Sequence, residues 1–336
     1  MAATTPTARI HRGKAGALVS LARRLRAGEL VAVPTETVYG LAGDALNAVA
    51  CAAIFRAKGR PAADPLIVHL HSARQLGLVC VPNAAALRLA RAFWPGPLTL
   101  VLPKTAVVPS IVTAGRNSVA VRVPRHPLFR RLLRLAGTPL AAPSANPFGY
   151  ISPTTAEHVR AGLGKKISHI LDGGPAAIGV ESTIVDLRDP RRPVLLRPGA
   201  ITAAQIARVL RVPVAEPRAS AEKENQRGLL APGRLARHYS PRTPVTLHRK
   251  ISAGALCAAR ADEAFLLQRR PRPGAASGSN VFWLDAQGRL PGVARRLFAL
   301  LRRLDARGFA RIHAELAPEL GLGRAVNDRL RRAAAR

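Results

Sequence analysis

Apolar residues in this chain fall into short blocks of two kinds. From Leu18 to Arg26 they recur at helical spacing and stop at Gly28, whereas Leu30 to Pro34 is a brief continuous run of the sort a buried strand shows. A helix is predicted around Asn47 to Lys58, followed by strands at Leu66 to Leu70, Leu98 to Leu102 and Ser118 to Val123. Pro127 to Leu135 reads as a helix, and Leu140 to Ala142 as a strand running into Pro143. Thr154 opens another helix, with Glu157 three residues on to complete a capping box. Ile170-Leu171, Thr183 to Leu187 and Val194 to Leu196 are strands, and Thr202 to Leu210 is a helix. This irregular interleaving predicts an α/β fold with a mixed rather than strictly doubly wound sheet.

The pattern changes over residues 213–234, where Pro213, Pro217, Pro232 and Gly233 bracket the polar run Glu222 to Gln226. Such a stretch reads as a linker. Beyond it, Val245 to Leu247, Ala264 to Leu267 and Val281 to Leu284 predict strands, and helices follow at about 291–306 and 324–335. Pro271 to Ser279 reads as a flexible loop, and no internal repeat is visible. The expected organisation is a catalytic domain over 14–210, a linker over 211–241 and a smaller α/β domain over 242–336.

Composition adds three constraints. A length of 336 residues favours two domains, and 48% hydrophobic residues exclude a wholly disordered chain. With only 4% aromatics, the cores must rest on Leu, Val, Ile and Ala. The net charge of +33 would attract nucleotides or RNA. That excess is spread evenly, with 26 basic against 9 acidic residues over 1–205 and 26 against 10 over 206–336, so no basic tail carries it. Cys51, Cys80 and Cys257 lie far apart without Cys-x-x-Cys spacing, which argues against a disulfide framework or zinc site and fits a reducing cytoplasm. No apolar run reaches the roughly 18 residues of a membrane span, and the first residues lack a signal-peptide core. A soluble cytoplasmic protein is the expectation.

The usual nucleotide fingerprints are missing: there is no phosphate-loop motif, no Gly-x-Gly-x-x-Gly turn and no Gly-x-Ser-x-Gly elbow. Polar groups gather instead where apolar runs break. The first such place is Pro34-Thr35-Glu36-Thr37-Val38-Tyr39-Gly40-Leu41, the second Lys58-Gly59-Arg60-Pro61 leading into Leu66-Ile67-Val68-His69, and the third Pro143-Ser144-Ala145-Asn146. Strand ends are where α/β proteins place ligand groups. The Thr37 hydroxyl either meets a ligand or caps its own turn. Lys58 and Arg60 suit phosphates, or a solvated loop. His69 has His71 nearby, but no carboxylate or thiol completes a metal-ligand set, so no protein metal site is expected. Ser118 and Arg122, four apart on one strand, share a face, and an arginine among valines needs an anion.

These three stretches, taken in order, resemble the threonylcarbamoyl-AMP synthase family (YrdC-like). The resemblance spans residues 14–205 and continues in Pro232-Gly233-Arg234 and His238-Tyr239-Ser240-Pro241. Leu297 to Arg302 and Asn327 to Leu330 extend it to the longer, two-domain form. It implies a twisted mixed sheet around a central basic cavity, with a smaller C-terminal α/β domain. The implied activity condenses L-threonine, bicarbonate or CO2 and ATP into threonylcarbamoyl-AMP and pyrophosphate, which a downstream tRNA threonylcarbamoyl transferase uses. Mg²⁺ would arrive with ATP.

Carried over position by position, the resemblance gives Lys58 and Arg60 to the phosphates as catalytic groups. It gives Thr37, His69, Arg122, Ser144 and Ser182 to threonine. Arg60, Asp64, Ser118, Asn146, Ser152, Arg197, His238 and Tyr239 go to ATP, the last two on a segment expected to fold over the site. Asp64 departs from the family, which has Asn or His there; an ionised carboxylate only accepts hydrogen bonds and repels phosphate, so a turn toward Arg60 is expected. Two other readings stand beside this one: a basic RNA-binding module without catalysis, and the same fold with another acyl acceptor, as in carbamoyl-transfer proteins of hydrogenase maturation.

Overall fold

Ten strands, most of them among the short apolar blocks, assemble into one sheet in the computed structural model, which describes residues 7–216, 230–232, 238–258, 260–272 and 279–335. In chain order its strands are β1 (Arg9–Arg12), β2 (Val31–Val33), β3 (Gly40–Asp44), β4 (Ile67–His69), β5 (Leu98–Pro103), β6 (Ser118–Arg122), β7 (Leu140–Ala141), β8 (His169–Asp172), β9 (Thr183–Asp186) and β10 (Val194–Arg197). They lie in the order β1-β8-β2-β3-β7-β4-β6-β5-β9-β10. Parallel pairs (β1/β8, β2/β8, β4/β6, β5/β9) interleave with antiparallel ones, so the sheet is mixed, as the irregular order of elements predicts.

Seven helices accompany these strands: α1 (Ala15–Arg26), α2 (Ala48–Lys58), α3 (Leu76–Val79), α4 (Ala84–Phe93), α5 (Pro127–Ala136), α6 (Ala156–Leu163) and α7 (Ala203–Leu210). Their ends follow from local chemistry. Asn47 caps α2 by accepting from the Val49 and Ala50 N–H groups. Thr202 and Gln205 form a reciprocal capping box on α7. The box predicted at Thr154 is not formed: Thr155 is the cap and accepts from His158 N–H, while Glu157 turns outward to pair with Arg160 at 2.6 Å. Thr154 is diverted because its hydroxyl meets His158 Nδ1 at 3.2 Å.

Strand β3 escaped the sequence reading because Gly40-Leu41-Ala42-Gly43-Asp44 has little strand propensity. Its first glycine is favoured by close packing, since a Cβ at Gly40 would lie 3.2 Å from Ala142 Cβ. Strand β1 and helices α3 and α4 were also not predicted.

Beneath one side of the sheet, Leu18, Leu21 and Leu25 of α1 interlock with Phe129, Leu132 and Leu133 of α5, all fully or almost fully buried. Each such side chain contributes roughly 1.5–3 kcal/mol. The same layer reaches the chemistry, because the Phe129 ring lies 5.4 Å from that of His69.

Contacts divide the chain into two units, Met1–Phe148, Pro153–Ala176 and Glu181–Arg234 in one, and Gly149–Ser152, Ala177–Val180 and Leu235–Arg336 in the other. The second contains β11 (Val245–His248), α8 (Ala253–Cys257), β12 (Glu263–Arg269), β13 (Val281–Asp285), α9 (Leu290–Ala306), β14 (Arg311–Glu315) and α10 (Leu322–Ala334). Its strands form a wholly parallel sheet in the order β11-β14-β12-β13. Of these elements, α8 and β14 were not predicted. Residues 217–229 and 233–237 of the predicted linker, and 273–278 of the predicted loop, lie outside the described residues. Among the described residues no helix is long and apolar enough to cross a membrane.

Candidate active site

The turn joining β2 to β3 carries the first group of site residues. Strand β2 stops at Val33, so Thr37 lies in this turn rather than at the strand end. Thr35 does the local work: its Oγ1 accepts from the Thr37 and Val38 N–H groups and donates to the Val38 carbonyl. The Thr37 hydroxyl both meets Thr35 Oγ1 at 2.8 Å within the turn and receives Arg122 Nη1 at 3.1 Å.

Arg122 ends β6, and the parallel register of β4 with β6 sets His69 directly beside it. Both are buried. Arg122 Nε donates to the Gly96 carbonyl at 3.1 Å, and Nη2 lies 2.7 Å from Glu36 Oε1. The anion a buried arginine needs is therefore present within the protein. His69 Nδ1 lies 3.2 Å from the Ile67 carbonyl, and burial, reinforced by the Arg122 charge, pushes its pKa down to about 3, so the imidazole is neutral. Ser118, four residues before Arg122, is buried on the same strand face.

Lys58 ends α2 and is followed by Gly59, whose φ of 64° turns the chain in the left-handed region that favours glycine. Its ammonium donates to the Ser144 and Asn146 carbonyls, each at 2.6 Å, and so fixes the turn that the third motif forms. Two of its three N–H donors are thereby committed. Burial, followed by the Arg60 charge, lowers its pKa well below the usual lysine range.

Arg60 closes its own loop. Nε donates to the Asp64 carbonyl at 2.8 Å, Nη2 donates to the Pro65 carbonyl at 2.7 Å, and Nη2 lies 3.0 Å from Asp64 Oδ2. Asp64 is thus turned toward Arg60, as expected. Burial still pushes its carboxyl upward, although Arg60, Lys58 and Arg197 all draw it down. Arg197 donates from Nε to the Ser182 carbonyl at 3.0 Å and from Nη2 to Ser182 Oγ at 3.1 Å, and Thr99 Oγ1 lies 2.8 Å from that same hydroxyl. The buried cations therefore converge on strand ends and turns of one unit, each locked by backbone carbonyls.

Two family models together match nearly the whole chain. A family model described as "Telomere recombination" (Sua5, YciO and YrdC) matches residues 23–199, and one described as "Threonylcarbamoyl-AMP synthase, C-terminal domain" matches 201–335. The chain is 43% identical to the threonylcarbamoyl-AMP synthase of Pyrococcus abyssi, over 92% of this chain and 91% of that one. The Bacillus subtilis protein of the same name is 39% identical, over 94% and 92%. The chain belongs to the threonylcarbamoyl-AMP synthase family. Among solved structures, P. abyssi Sua5 complexed with L-threonine superposes with a TM-score of 0.87 at 39% identity, covering 97% of both chains.

Three of the family-assigned residues fall in the second unit. Ser152 is fully buried, and its carbonyl receives Arg302 Nε at 3.3 Å. Tyr239 is buried at a φ of 61°, strained for a non-glycine residue, with its ring 4.1 Å from that of His238 and 5.5 Å from that of Phe298. Gly233 and Arg234 of the neighbouring motif lie outside the described residues. An open cavity of roughly 510 Å³, lined by Glu29, Arg56 and Lys166 among others, contains none of the predicted site residues. Sequence reasoning passed over Glu36 and Thr99. Glu36 left a signal, a lone acid inside a motif that is otherwise buried; Thr99, within an apolar strand, left none.

Proposed function

We propose that this protein condenses L-threonine, bicarbonate or CO2 and ATP into L-threonylcarbamoyl adenylate and pyrophosphate, for transfer to tRNA by a downstream enzyme. The observation that carries this reading is the Arg122 corner: a buried guanidinium, a threonine hydroxyl 3.1 Å from it and a neutral imidazole beside it in register. These groups match a carboxylate and a hydroxyl on one small molecule. The relative solved with L-threonine supports that choice of ligand.

Among the described residues, none of the side chains gathered here is set up as a nucleophile, so positioning and electrostatics must do the chemistry. Threonine's amine, having given its ammonium proton to bicarbonate or water, adds to CO2 and loses a second proton to the same acceptor to form a carbamate. A carbamate oxygen then attacks the α-phosphorus of ATP as pyrophosphate leaves. Lys58, Arg60 and Arg197 supply the positive field for the phosphates, with Ser118, Asn146 and Ser152 as further nucleotide contacts. Mg²⁺ enters as part of the MgATP substrate. His238-Tyr239, the only adjacent His–Tyr pair in this sequence, is assigned here to the nucleotide; a P. abyssi Sua5 has been solved with a His and a Tyr one residue apart replaced by alanine. The test is a pyrophosphate-release assay with each substrate omitted in turn. Release should require threonine and bicarbonate together; release indifferent to threonine would leave a plain ATPase or a binding module.

A further inference from the structure

Glu36 has no role in that scheme, yet it is among the most deeply enclosed acids in the first unit, at 6% exposure. Burying a carboxylate is costly unless something compensates it. Arg122 Nη2 stands 2.7 Å from Oε1, and its charge holds the carboxyl below its usual range despite burial. The group is therefore ionised at neutral pH. The pairing is incomplete in one respect: neither Glu36 oxygen, nor Arg122 Nη2, makes an aligned hydrogen bond, although all three are shut off from water. A short ion pair whose donor and acceptors remain unaligned suits a ligand carrying both opposite charges. The Nη2 face offers N–H to an anion, and the two carboxylate oxygens offer lone pairs to a cation.

We propose that Glu36 is the ammonium receptor of an α-amino-acid site, with Arg122 receiving the carboxylate of the same zwitterion. This rests on the reading of Arg122 given above. In an α-amino acid a single carbon separates the two charged groups, so holding the carboxylate on Arg122 brings the ammonium to Arg122's own partner. His69 is neutral and does not compete for Glu36, and Thr37, one residue on, supplies the hydroxyl contact. Because its carboxyl is held ionised, Glu36 serves as a counter-ion rather than as a base. Once the amine becomes an anionic carbamate the contact turns repulsive, which favours displacement of that end away from Glu36. The site is thus specific for amino acids over hydroxy acids of the same shape.

Calorimetric binding to the full chain tests this with three probes: L-threonine, 3-hydroxybutyrate (threonine without its amine) and 1-amino-2-propanol (threonine without its carboxylate). The wild type should bind L-threonine at least about tenfold tighter than 3-hydroxybutyrate, the scale of one charge-assisted bond. Glu36→Gln should weaken L-threonine about tenfold or more while leaving 3-hydroxybutyrate within about threefold. Equal weakening of both would show that Glu36 merely supports Arg122, and no weakening of either would remove it from the site. If Glu36→Gln does not fold, the wild-type arm still decides, since equal affinity for L-threonine and 3-hydroxybutyrate overturns the proposal. Tight 1-amino-2-propanol binding would instead overturn the Arg122 reading and leave Glu36 standing.

Discussion

Arg122–Glu36 and Arg60–Asp64 are both buried arginine–carboxylate pairs of one unit, at 2.7 and 3.0 Å, yet they are built differently. Arg60 and Asp64 are four residues apart, and the guanidinium also binds the Asp64 and Pro65 carbonyls, so the pair closes a loop on itself. Arg122 and Glu36 come from a strand and a turn far apart in sequence, and Arg122 also holds Gly96 and Thr37. Their carboxyls move in opposite directions. Glu36 is held below its usual range, whereas burial outweighs three cations and lifts Asp64 above its own. A local pair reflects the demands of the backbone around it. Both carboxylates keep oxygens without an aligned hydrogen bond; the long-range pair differs in its donor, since Arg122 Nη2 also lacks one whereas Arg60 Nη2 is spent on the Pro65 carbonyl.

The sharpest way to break this contrast is at Arg122. Arg122→Ala would strand Glu36 as an uncompensated buried charge, at a cost of about 3–5 kcal/mol in stability. Arg122→Lys keeps the charge but not the planar fork. It should fold, weaken L-threonine roughly ten- to a hundredfold and leave ATP within about threefold. Calorimetric titration with each ligand checks this, and equal weakening of both would erase the distinction between the two pairs.

The contrast was half legible in the sequence. Asp64 turning to Arg60 could be anticipated because both lie on one short loop and the chemistry of a carboxylate near phosphate forbids the alternative. Glu36 opposite Arg122 could not, because no rule of spacing reveals that a turn after β2 meets the end of β6, four strands away in the sheet order. The same limit explains β3: its glycines oppose strand formation locally, and only the close approach of Gly40 to Ala142 and of Gly43 to Leu30 and Ile54 favours them. The other strands with long Val, Ile and Leu runs were readable because burial on both faces writes itself into composition. Lys58 shows a third case. Its charge pointed to phosphate, but its two bonds to the Ser144 and Asn146 carbonyls are visible only once the third motif has folded beside the second.

Acid should distinguish the two corners by way of His69. Its folded pKa of about 3 lies below the ordinary 6.5, so between those values the unfolded chain binds a proton that the folded one refuses. Stability from this residue is complete above pH 6.5 and is lost as pH falls toward 3. Glu36, also depressed, adds a loss only below the ordinary 4.5, and Asp64, raised, works in the opposite sense there. The window from pH 7 to 5.5 therefore isolates histidine. Urea unfolding should show the wild type losing about 1 kcal/mol more across that window than His69→Gln. Identical losses would mean that the imidazole is protonated in the folded state.

The smallest effect is expected at Asp64. If this pair is a loop clamp, the carboxylate's task is to accept from Arg60, and Asn can do so through its own oxygen. Asp64→Asn also removes a buried charge that burial already disfavours, and it makes the field of Lys58, Arg60 and Arg197 more positive by one unit. Both changes favour a polyanion. MgATP should therefore bind as tightly as to the wild type, or up to about threefold more tightly, the modest scale of a charge not itself in contact with the ligand. Arg60 should keep its bonds to the Asp64 and Pro65 carbonyls, since neither depends on the side chain replaced. MgATP binding at least about tenfold weaker would show that the carboxylate itself works at the nucleotide, a loss on the scale of a direct charged contact. In that event the local pair would be as functional as the long-range one, and separation along the chain would have no bearing on which pair meets the ligand.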